Sequence, residues 1–132
     1  MLSALIVEAS HFKQICHSIL NQMEIKQGMS YAELNNQFVQ MYPFLKLRFF
    51  QKLKNKLEEI PNETPIKTKE VIQVDCSSNK SIEQLIAELQ YYLNIQVQIF
   101  RRSGKVYIET SRTSRWTLKR QNDEGEELSA SS

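Results

Sequence analysis

The segments SYAE at 30–33 and SIEQ at 81–84 are the strongest local constraints in this chain. In each, a serine stands three residues ahead of Glu33 or Gln84, and each side chain can accept from the other's backbone N–H, which satisfies donors that a helix start otherwise leaves unpaired. The residues that follow have helical spacing. Tyr31, Leu34, Phe38 and Met41 share one side of the first segment. Ile82, Leu85, Ile86, Leu89 and Leu93 form an apolar stripe on the second, and Asn94 is a suitable stop.

Two further helices are expected before residue 61. Phe12, Ile15, Cys16, Ile19, Leu20 and Met23 follow the same periodicity after Ser10, and Gly28 ends that run. Pro43 suits the first turn of another helix, so FLKLRFFQKLKNKLEEI reads as a third one, with Leu45, Phe49, Leu53, Leu57 and Ile60 inward and Arg48, Lys52 and Lys56 on the opposite flank. Pro61 and Pro65 bracket PNETP, a turn-rich connector.

Beyond it the period changes. KEVIQVDC reads as a strand. IQVQIF and VYIET, separated by the RRSGK turn, read as a hairpin whose Ile95, Val97, Ile99, Val106 and Ile108 face the helix at 82–93. Thr117 can cap a short terminal helix that Trp116 and Leu118 dock. The expected fold class is therefore α+β: an N-terminal three-helix region over 1–60, a connector over 61–69, a small βαββ unit with its terminal helix over 70–128, and a disordered tail over 129–132.

The 132 residues suffice for one core that buries roughly two-thirds of the unfolded surface. The N-terminal apolar run lacks a basic start and a cleavage site, and no later run approaches a membrane-spanning length, so the chain reads as cytoplasmic with no membrane partner. Cys16 and Cys76 then read as free thiols.

Catalytic signals are absent from the pattern. His11 and His17, six apart, fall on opposite sides of their helix and do not form a metal pair. Cys76 sits between a strand and a loop, a setting some nucleophilic cysteines occupy, yet SSNKS has no arginine and no phosphate-cradling glycines. No phosphate loop, dinucleotide fingerprint or serine elbow occurs. The expectation is a non-enzyme with no cofactor, no metal and no evident small-molecule substrate.

Charge is the feature that departs from the ordinary. Residues 98–120 carry seven basic side chains against Glu109 alone, a net of +6, and residues 121–132 follow with a net of −4. The candidate binding surface is Phe100, Arg101, Arg102, Lys105, Tyr107, Arg112 and Arg115, with Arg48, Lys52 and Lys56 from the expected third helix. Phe100 and Tyr107 fall on the hairpin face away from the helix, where rings can stack on bases while cations track phosphates. The opposite reading makes the two rings a covered cross-strand pair and the cations a solvating rim.

RSGKVYIE resembles the basic, glycine and aromatic pattern of the third strand of the RNA-recognition motif, and the strand–helix–strand–strand order over about 70–110 is similar to the first half of that fold. VIQVDC departs from it, having no stacking aromatic. SYAELNNQFVQMYPFLKLRFFQKL resembles a helix-turn-helix, without the usual glycine in the turn. From these features the expected function is a binding or adaptor protein acting through protein–protein contacts or self-association, with nucleic-acid binding through the basic hairpin as the alternative.

Overall fold

A computed structural model describes residues 21–130. Along them run β1 (Gln22–Ile25), α1 (Tyr31–Met41), β2 (Leu45–Leu53), β3 (Lys56–Glu59), β4 (Ile72–Asp75), α2 (Ile82–Leu93), β5 (Gln96–Ser103), β6 (Val106–Glu109), a 3-10 turn (Ser111–Thr113) and α3 (Leu118–Ala130). Strands β1 and β4 form an antiparallel ribbon, and the other four form an antiparallel sheet in the order β3-β2-β5-β6.

Both capping boxes are made. Ser30 Oγ accepts from the Glu33 N–H at 3.1 Å while Ser30 N–H donates to Glu33 Oε2 at 3.2 Å, and Ser81 and Gln84 repeat the exchange at 3.2 and 2.9 Å. Asn94 ends α2 in the left-handed conformation, φ 54°. Thr117 Oγ1 accepts from the Arg120 N–H at 3.1 Å at the start of α3, and α3 continues through Ala130 where a frayed tail is expected from 129.

The class is α+β, but the three-helix N-terminal region is not what forms. The stretch expected as a third helix is the hairpin β2–β3. Leu45, Leu47 and Phe49 are buried and alternate with half-buried Lys46, Arg48 and Phe50, so the period is two. Leu45, Phe49, Leu53 and Leu57 also fit a spacing of four, and that coincidence conceals the strand. Lys54 (φ 50°) and Asn55 (φ 67°) are both left-handed in a two-residue turn, the geometry whose twist matches the strands it joins. The helix-turn-helix resemblance falls with this helix. The expected first helix lies outside the described residues except at its end, where Gln22 and Met23 belong to β1.

The expected βαββ sheet is also revised. β4 pairs with β1, Met23 opposite Val74, and not with the β5–β6 hairpin. The partner of β5 on its other side is β2, with Leu47 opposite Ile99 and Phe49 opposite Val97. That arrangement is not the strand order of the RNA-recognition motif. It joins residues before and after the PNETP connector in one sheet.

All three described helices lie on one face of the four-stranded sheet. Tyr31 of α1 packs its ring 4.8 Å from that of Phe49. Ile82, Leu85, Leu89 and Leu93 of α2 join Val97 and Ile99 in the core. α3 approaches so closely that a Cβ on Gly125 would stand 2.8 Å from Phe44 Cβ and 3.1 Å from Arg101 Cγ. The ribbon closes against α1, where Gln37 exchanges hydrogen bonds with the backbone of Glu24.

Val106 and Ile108, expected in the core, lie on the helix side of the sheet but remain 60% and 39% exposed, because β6 is an edge strand beyond the reach of the helices.

Candidate functional site

The sheet has a second face. Residues directly opposite on antiparallel strands point the same way, so the pairings Arg102–Tyr107, Lys46–Phe100–Glu109, Arg48–Gln98, Glu59–Phe50–Gln96 and Lys52–Leu57 form successive rows on the side away from the helices. No described helix or strand covers these rows. Tyr107 is 40% exposed, while Phe50 and Phe100 are half-buried among their own neighbours.

Cations lie on the rings. Lys46 Nζ stands 4.0 Å from the centre of the Tyr107 ring, and the Arg48 guanidinium carbon is 5.0 Å from Phe100 and 5.6 Å from Phe50. Such contacts are worth about 0.5–1 kcal/mol at exposed positions. Arg48 also donates through Nε to Glu59 Oε1 at 2.7 Å and through its second nitrogen to Glu59 Oε2. These hydrogen bonds hold the Glu59 carboxyl below the usual carboxylate range, aided by the charges of Arg48 and Lys46. The pair is more than a third exposed, so its contribution to stability is at most about 1 kcal/mol. Its effect is to fix a planar cation between two rings.

Of the ten residues singled out from sequence, the structure brings Phe100, Arg102, Tyr107, Arg48 and Lys52 to this face, and places Lys105 at the adjoining turn. Lys56 opposes Leu53 and points to the other side. Arg112 and Arg115 are exposed in the segment between β6 and α3. Arg101 is turned inward and only 9% exposed, donating to Gln121 Oε1 at 3.1 Å, with its guanidinium carbon 5.9 Å from the Trp116 ring. Lys46, Phe50 and Glu59 were missed. The alternation of LKLRFF was the signal that could have found the first two, and a helical reading hides it.

Cys76 is fully buried. Burial, foremost, pushes its thiol up to about 12, and Tyr42, whose hydroxyl donates to the Cys76 carbonyl at 2.5 Å, is likewise pushed up to about 12. A thiol of this kind is a packing group and a poor nucleophile. In the native protein at neutral pH it should react with a thiol-specific reagent only as fast as the fold opens, and rapid native labelling would contradict its burial. Both groups favour their neutral forms in the fold. Their stabilisation is complete below the ordinary thiol value of 9.0 and is lost as pH rises towards about 12. Thermal unfolding should therefore shift downward through that alkaline window.

Among the described residues no three His, Cys, Asp or Glu side chains gather as a metal site, and no helix is long and apolar enough to cross a membrane. His11, His17 and Cys16 lie outside the described residues. No protein-family model matches the chain, and comparisons with curated proteins and with solved structures give no significant match.

Proposed function

We propose that the protein is a binding module for single-stranded nucleic acid and that the outer sheet face is its platform. The observation that carries this reading is the row structure of that face: Phe50, Phe100 and Tyr107 lie beside Lys46, Arg48 and Arg102, with uncharged Gln96 and Gln98 between. Flat rings interleaved with cations suit an extended strand, whose bases stack while its phosphates meet ammonium and guanidinium groups. An opened duplex or a single strand presents base faces; an intact duplex does not.

The existing contacts suggest how binding proceeds. Lys46 sits on Tyr107 through a long flexible stem. A base arriving on that ring displaces the ammonium towards the neighbouring phosphate, so one side chain serves both states. Arg48 is held in place by Glu59 and offers its own plane for stacking. The face carries Lys46, Arg48, Lys52 and Arg102 against Glu59 and Glu109. With so few net charges, affinity depends on stacking as well as on counterion release.

Fluorescence anisotropy with labelled single-stranded and duplex oligonucleotides, at low and moderate salt, tests the reading. Single strands should bind in preference to duplex, with a salt slope of about 0.7 per phosphate contacted. Phe100→Ala should weaken binding by about 1–3 kcal/mol, and Lys46→Ala with Arg102→Ala should lower the salt slope. Absence of binding at low salt, or binding indifferent to Phe100→Ala, would reject the proposal.

A further inference from the structure

The two edges of the four-stranded sheet are unlike. β3, at one edge, has Lys56, Glu58 and Glu59 among its four residues, the charged composition that discourages pairing with another chain. β6, at the other edge, reads VYIE, and its Val106, Tyr107 and Ile108 are 60%, 40% and 39% exposed. Among the described residues no strand pairs with its outer side. An exposed apolar edge with free backbone groups is a template for another strand.

The phase of the ladder says which backbone groups are free. Thr110 N–H donates to Ile99 O at 3.2 Å, so by antiparallel alternation Ile108 and Val106 exchange bonds with β5 while Tyr107 and Glu109 direct their N–H and C=O groups outward. A second copy approaching antiparallel about a two-fold axis centres on one residue of this edge, outward-directed or not, because both kinds of pair recur along the ladder. Centring on Val106 sets Ile108 against Gly104 and Glu109 against Ser103, and centring on Ile108 sets Tyr107 against Glu109 and Val106 against Thr110, so each leaves apolar and charged residues unmatched. Centring on Glu109 opposes two carboxylates. Centring on Lys105 opposes two ammonium groups. Centring on Tyr107 sets Tyr107 against Tyr107, Val106 against Ile108 twice, and Lys105 against Glu109 twice.

We propose that β6 pairs with β6 of a second copy in the register centred on Tyr107, forming a dimer with one continuous eight-stranded sheet. The register is self-complementary on both faces: apolar pairs meet on the helix side, while rings and opposite charges meet on the outer side. Five residues on each copy make a small contact beside the ~1,600 Å² of a standard interface, so the dimer is reversible and depends on concentration. This inference does not rest on nucleic-acid binding, although pairing would make the two outer faces continuous.

Light scattering or sedimentation over a micromolar to millimolar series tests it, with circular dichroism as a check that each variant is folded. The wild-type average mass should rise towards twice that of the chain. Lys105→Glu and Glu109→Lys each place like charges opposite one another at both ends of the contact, and each alone should weaken dimerisation on the order of tenfold or more. An equal mixture of the two variants restores both opposite-charge pairs and should associate, as should the chain carrying both substitutions. A wild-type chain that stays monomeric throughout, single variants that associate like wild type, or a mixture that stays monomeric would each overturn the register. Phe100→Ala should leave self-association unchanged, which separates this contact from the proposed nucleic-acid platform.

Discussion

Truncating Phe38 to alanine should lower the free energy of unfolding by about 3–5 kcal/mol. Phe38 is 0% exposed on the inner side of α1, and its ring lies 5.6 Å from that of Tyr42. Tyr42 in turn ties the end of α1 to the end of β4 through the Cys76 carbonyl. Loss of the ring leaves a cavity where helix, ribbon and sheet meet, and neighbours already fixed by hydrogen bonds cannot collapse fully into it. A small domain has about 5–15 kcal/mol in total, so the variant should be close to its unfolding threshold near physiological temperature. Urea denaturation will show this as a lower midpoint at an unchanged slope. A loss below about 1 kcal/mol would mean that α1 is packed far more loosely than its burial implies.

Gln121→Leu should cost about 3 kcal/mol although it adds apolar surface to a buried position. Gln121 is 0% exposed and joins three groups: its amide nitrogen donates to the Thr113 carbonyl at 2.9 Å and to the Thr113 hydroxyl, while its oxygen accepts from Arg101 at 3.1 Å. Leucine strands a buried guanidinium, whose Nε already lacks a hydrogen-bond partner, and leaves the Thr113 carbonyl with the Trp116 N–H at 3.0 Å as its remaining donor. Combining it with Arg101→Met removes both sides of the network at once. Buried polar pairs replaced together by apolar groups are often nearly neutral, so the double variant should recover much of the loss. Additive losses in the cycle would show that Arg101 and Gln121 are not coupled.

Residues 98–116 illustrate how far the sequence reaches. Alternation places Ile99 inward and Phe100 outward, and Ser103-Gly104 marks the turn, where Gly104 takes φ 64°. The same alternation sends Arg101 inward with Ile99, against the expectation that an arginine beside the turn belongs to the surface. It lies there because α3 brings Gln121 over it, and because Gly125 has no side chain to hold α3 away. No local pattern announces that partner.

Local chemistry determined the elements whose ends carry their own signals: α1 and α2 through their capping boxes, α3 through Thr117, the β5–β6 turn through Gly104. These depend on hydrogen bonds between near neighbours, which the chain order itself supplies. Only the tertiary structure decided LKLRFFQKL, because its apolar residues satisfy both a period of four and a period of two, and the burial of Leu47 opposite Ile99 selects the strand. It also decided that β4 joins β1, that Arg101 is inside, and that the face bearing Phe100 and Tyr107 meets no described helix. Each of these depends on a contact between distant parts of the chain, and such a contact is written in neither partner alone.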